Sequence, residues 1–177
     1  MENISLKEIF TIYWSQATLL IFGVGFLVKS FIDLRSKKIE INHNLFQQKK
    51  LESINSFFSN CASTSQMWND IPVYDFFEHK ITSKDIDEYI FPNINNLRRD
   101  VFELKIYLKE NEHKNFELIL DNMLLINSKL SEEYFSFDKE KNILKKSIDF
   151  QNFRDDIVKK NELILKKISS NLRNEFN

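Results

Sequence analysis

The sequence predicts an all-α protein: a single N-terminal transmembrane helix running into a long juxtamembrane helix, followed by a cytoplasmic antiparallel helical bundle. Three observations predict it. Residues 9–28 read IFTIYWSQATLLIFGVGFLV and hold no charge between Glu8 and Lys29. The 177 residues include only 2 glycines and 2 prolines, too few for the tight turns and positive-φ positions of a turn-rich β architecture. Beyond the apolar run, hydrophobic residues recur at steps of three and four along charged, soluble-looking sequence.

Residues 1–8 are expected to be a short extracytoplasmic tail. The span at 9–28 covers ~30 Å as a helix, one bilayer core. A cleaved signal peptide needs a basic start and a small-x-small exit. Here Glu2 and Glu8 oppose Lys7, and the exit is FGVGFLVKSF. A pilin-like start would carry glycine before Phe10 and glutamate shortly after it, where Ile9 and Trp14 stand. Lys29, Arg35, Lys37 and Lys38 crowd the far side, so the positive-inside rule puts the N-terminus outside and the main domain in the cytoplasm. These four cations are the expected contacts to anionic lipid headgroups, worth about 1 kcal/mol each. Within the span Thr11, Ser15, Thr18 and Gly25 share a face, with Gln16 beside it. Small and hydroxylated residues on one face are the expected helix-association surface; the alternative is that the hydroxyls bond back to their own helix and Gln16 reaches toward the headgroups.

Residues 29–62 lack Gly and Pro and read as a juxtamembrane helix, a candidate coiled coil or the first helix of a bundle, expected to pack on the bundle that follows. Residues 63–82 are the least regular: Ser63, Thr64 and Ser65, then Pro72, with Trp68, Tyr74, Phe76 and Phe77 close together. This reads as a connector whose rings either plug the space between helices or form a partner-binding patch. Residues 83–177 read as the helical bundle. Thr82 and Ser83 ahead of Asp85 signal a helix start, and Pro92 is expected to kink or restart that helix. Ile90, Ile94, Leu97, Val101, Leu104 and Leu108 form the cleanest stripe. Asn111–Lys114 is the expected turn, and Phe116, Ile119, Met123, Ile126 and Leu130 mark the most buried helix. Asp138 is the expected cap of a last helical region, with a break near Asp149.

Chemistry is represented mostly by absences. His43, His79 and His113 form no metal-ligand pattern. Cys61, the only cysteine, lies on an apolar stripe and reads as a structural thiol; no intrachain disulfide can form, which fits a reducing compartment. Both glycines lie inside the apolar run, so no glycine-rich phosphate loop or nucleophile elbow exists. The acidic pairs and Arg98-Arg99-Asp100 read as solvated surface. No catalytic residue, cofactor or metal is expected.

The net charge of −1 is unevenly spread: residues 29–50 carry six basic and two acidic side chains, and residues 75–137 carry eight and thirteen. The basic excess abuts the apolar run rather than forming a stripe on the domain, so no nucleic-acid partner is expected. The dominance of Ile, Lys, Asn and Phe fits an AT-rich, bacterial genome. These features point to a bacterial single-pass, non-enzymatic protein whose partners are the lipid bilayer, further copies of itself or an unidentified protein. The alternative is a membrane-perturbing effector of a phage-defence or toxin system, suggested by the polar face of the span.

Overall fold

The computed structural model describes residues 5–136 and 142–176, without the side chains of Ile9, Ile12, Ser15, Ala17, Glu175 and Phe176. Among them are five helices and no strand: α1 Leu6–Asp70, α2 Val73–Phe77, α3 Ser83–Tyr107, α4 Glu110–Phe135 and α5 Ile143–Phe176. The chain divides into two compact units, Met1–Gln48 and Lys49–Asn177.

The first unit is the N-terminal part of α1. Ser5 Oγ accepts from the Glu8 N–H (3.3 Å) and Glu8 Oε2 accepts from the Ser5 N–H (3.1 Å). This capping box satisfies two otherwise orphaned donors, so the helix starts at Leu6, inside the stretch expected as a tail. Residues 1–4 of that tail lie outside the described residues. Among the described residues no helix is long and apolar enough to cross a membrane. Four members of the 9–28 run (Ile9, Ile12, Ser15 and Ala17) are not described at side-chain level, so the expected span rests on the sequence.

The second unit is a four-helix bundle of α1 from Lys49 onward with α3, α4 and α5, and α2 packs on α4 and α5. Neighbours run antiparallel. Ser53 and Asn60 on α1 meet Glu103 and Asp100 on α3 (2.7 and 2.5 Å), so numbers rise on one helix as they fall on the other. Only Leu108 and Lys109 join α3 to α4, a link short enough to force an antiparallel hairpin. Asn122 and Glu133 on α4 meet Asn161 and Lys146 on α5 in the same reversed order. Across the core, the Phe57 and Phe116 rings meet edge to face at 4.8 Å. The stripes read from sequence face inward: Ile90, Ile94, Leu97, Leu104, Ile119, Met123, Ile126 and Leu130 are all buried.

Local chemistry sets each boundary and departs from the expected ones in several places. The connector expected at 63–82 is helical to Asp70 and again over α2. Ser63 and Thr64 do not break α1, because their hydroxyls donate back to the Ser59 and Asn60 carbonyls (3.1 and 2.7 Å). Pro72 stops α1, since it has no N–H to donate and pushes Ile71 out of the helical region. The bundle unit begins at Lys49, within the stretch assigned to the juxtamembrane helix. Thr82 and Asp85 cap α3 reciprocally (3.2 Å each way), as the sequence signalled.

α3 runs through Pro92, so the helix does not restart there. Pro92 and Glu88 are both exposed, so the carbonyl that loses its donor is on the wet side. The turn expected at Asn111–Lys114 sits instead at Leu108–Lys109, where Glu112 Oε2 accepts from the Lys109 N–H (3.1 Å). Asp138 lies outside the described residues. Asn142 caps α5, its Oδ1 accepting from the Lys145 N–H (3.3 Å), and α5 passes through Asp149 unbroken.

Candidate functional site

The candidate site is the N-terminal part of α1. From Leu19 to Val28 every large apolar side chain is at least half exposed. Such a surface runs round all sides of the helix and far exceeds what a monomer leaves in water. Lys29, Arg35, Lys37 and Lys38 follow it, all exposed. Thr11, Thr18 and Gly25 of the expected association face lie on this helix. Thr11 Oγ1 and Thr18 Oγ1 donate to the Lys7 and Trp14 carbonyls of their own helix (2.7 and 2.8 Å), so their donor protons are already used. Gln16 is exposed, and a Cβ added at Gly25 would meet nothing within 4 Å. The Ser15 side chain lies outside those described.

The aromatic residues offered as a partner patch belong to the bundle core. Trp68, Phe76 and Phe77 are buried, and only Tyr74, 43% exposed, reaches the surface. Phe76 stacks on Tyr134 at 4.4 Å, and Phe77 meets Phe150 edge-on at 6.0 Å. The rings close one end of the bundle because the helix runs on past residue 62 and carries Trp68 inward. On the surface beside them, Lys80 and Tyr74 hold the Glu78 carboxyl below its usual range, and Glu78 in turn raises the Tyr74 hydroxyl.

Buried polar side chains tie the bundle helices together, and these the sequence reading missed. Asp100, 2% exposed, accepts from Ser56 Oγ (3.0 Å) and Asn60 Nδ2 (2.5 Å). Arg98 and Arg99 are exposed as expected, but Asp100 is not. The signal was its phase, three residues after Leu97 and one before Val101. His113 is buried, and its Nε2 lies 2.7 Å from the Val101 carbonyl. A carbonyl only accepts, so that nitrogen carries the proton. Arg154 Nη1 donates to the Trp68 carbonyl (3.1 Å). A slip of one helix past another would leave these groups buried without partners, so they fix the register.

Near the α4–α5 connection, burial pushes the Glu133 carboxyl up, but Lys129 and Lys146 outweigh it and hold the carboxyl below its usual range. Lys146 also donates to the Glu133 carbonyl and to Ser136 Oγ, and its ammonium stands 5.1 Å from the Phe77 ring. Burial raises the Cys61 thiol to about 11, which leaves it protonated and unreactive.

Among the described residues no three His, Cys, Asp or Glu side chains gather as metal ligands. The cavity lined by Leu108, Phe116, Ile168 and Leu172 among others measures about 60 Å³; depressions of about 490 Å³ beside Gln66 and Tyr89 and of about 420 Å³ beside Phe58 and Leu172 are larger but lie open to solvent, unlike the enclosing clefts that hold small molecules. Comparison with protein-family models, with curated proteins and with solved structures finds no match.

Proposed function

We propose that this chain is a membrane-anchored, non-enzymatic interaction protein. Residues 9–28 cross the bacterial cell membrane with the N-terminus outside, and the cytoplasmic bundle binds a protein partner or assembles with further copies. The observation that carries the reading is the uncharged 20-residue run on a helix, with no other element among the described residues of its own unit to cover it. Burying one large apolar side chain is worth about 1.5–3 kcal/mol. A run of this length in water therefore forgoes far more than the net stability of a domain, and a bilayer recovers it. The exposed cations Lys29, Arg35, Lys37 and Lys38 follow on the side expected to face anionic headgroups.

The test is flotation of the full-length protein with lipid vesicles, followed by alkaline carbonate extraction, beside a chain that starts at Ser30. The full chain is expected to float and resist extraction, and the shortened chain to remain at the bottom of the gradient. Equal behaviour of the two chains overturns the anchor. Pull-down from the cytoplasm with the shortened chain then reads what the bundle binds.

A further inference from the structure

We infer that the N-terminal part of α1 pairs with the same segment of a second copy of this chain, parallel and in register, as a two-stranded coiled coil. Steps of three and four define one line along the helix. Leu27, Phe31, Leu34, Lys38, Ile41 and Leu45 fall on it, and the same steps lead back through Leu20 and Tyr13 to Phe10. Every large apolar side chain described on this line is more than half exposed. Within residues 9–28 every face is apolar, so the line is set apart from its neighbours only from Phe31 to Leu45, over about two heptads. A strict seven-residue repeat is also the spacing that keeps a seam facing a supercoiled partner. It departs from the face expected to associate: Thr11, Ser15, Thr18 and Gly25 lie on a different line, and the Thr11 and Thr18 hydroxyls already bond within their own helix.

The charges choose the occupant. Beyond Val28 a bilayer surface does not fit, because Arg35, Lys38 and Asn42 lie on or beside the line while interfacial helices sort polar and apolar residues onto opposite faces. A second copy does fit. Lys38 occupies an a position, where a single lysine specifies register and strand number. In a two-stranded coil its arm lies along the seam and reaches water. Ile41 at d with Leu45 at a would by themselves favour more strands, but each added strand encloses another Lys38 ammonium, so two strands prevail. In the parallel arrangement Ser30 flanks Arg35 of the second copy, and Lys37 flanks its Asn42, so no like charges meet. An antiparallel pair centred on Lys38 would set Lys37 against Lys37. The parallel direction also follows from the anchoring proposed above, which puts both N-termini on one side.

Single cysteines in the full-length protein test the pairing. Leu34→Cys and Ile41→Cys lie on the line, Ser36→Cys and Glu40→Cys off it, and Thr18→Cys on the hydroxyl face. All these positions lie outside the bundle unit, and the native Cys61 is buried, so the unsubstituted chain is the blank. After mild copper-phenanthroline oxidation in membranes and in detergent, Leu34→Cys and Ile41→Cys are expected to give several-fold more covalent dimer than Ser36→Cys and Glu40→Cys. Uniform yields, no dimer at any position, or the largest yield at Thr18→Cys would overturn the pairing. Flotation of the same samples separates the two readings. A chain that dimerises along the line without floating loses the anchor and keeps the pairing, and one that floats without cross-linking does the reverse.

Discussion

Phe57→Ala is the sharpest test of the bundle. Phe57 is fully buried and its ring meets Phe116 edge to face at 4.8 Å. Truncation removes the transfer free energy of a whole ring and leaves a cavity, about 3–5 kcal/mol in all. Bundles of this size have a net stability of about 5–15 kcal/mol, so this one side chain holds a large share. With a urea dependence near 2 kcal/mol/M, the unfolding midpoint of the unit Lys49–Asn177, made alone, should fall by roughly 1.5–2.5 M. Phe102→Ala is the matched control: the same substitution in the same unit, at a ring 74% exposed. It should move stability by less than about 0.5 kcal/mol. Adding Phe116→Ala closes a double-mutant cycle whose coupling should be about 0.5–1.5 kcal/mol. Far-UV circular dichroism across a urea series reads all four proteins. A Phe57→Ala loss no larger than that of Phe102→Ala, or strict additivity with Phe116→Ala, would refute the packing described.

Two further outcomes follow from the titrating groups. The Glu133 carboxyl lies below its usual range, since Lys129 and Lys146 outweigh its burial. Its contribution to stability is therefore present above the ordinary carboxylate range, ~4.3 for glutamate, and is lost as pH falls through its lowered folded value. Wild type should exceed Glu133→Gln in urea midpoint at neutral pH, and the gap should close on acidification; a gap independent of pH would count against the Lys129–Glu133–Lys146 cluster. Cys61, buried and raised to about 11, should resist thiol reagents at neutral pH and label promptly in denaturing urea. Rapid stoichiometric labelling of the folded protein would show that the thiol is accessible.

The sequence by itself determined the helical class, the inward stripes of α3 and α4, the cap at Thr82 and the buried character of Cys61. Each depends on spacing or on residues within one turn of each other, and such information is complete in a local window. Two further signals are local as well: the Ser5–Glu8 capping box that starts α1 within residues 1–8, and the Ser63 and Thr64 hydroxyls that bond back to the helix and let it continue. Only the tertiary structure decided where the bundle begins and what Trp68, Phe76 and Phe77 face. It alone decided, too, that Asp100 is buried beneath exposed Arg98 and Arg99. Asp100 is stable there because Ser56 and Asn60 reach it from some 40 residues earlier. A buried carboxylate is costly or well held according to partners that spacing along one helix does not identify.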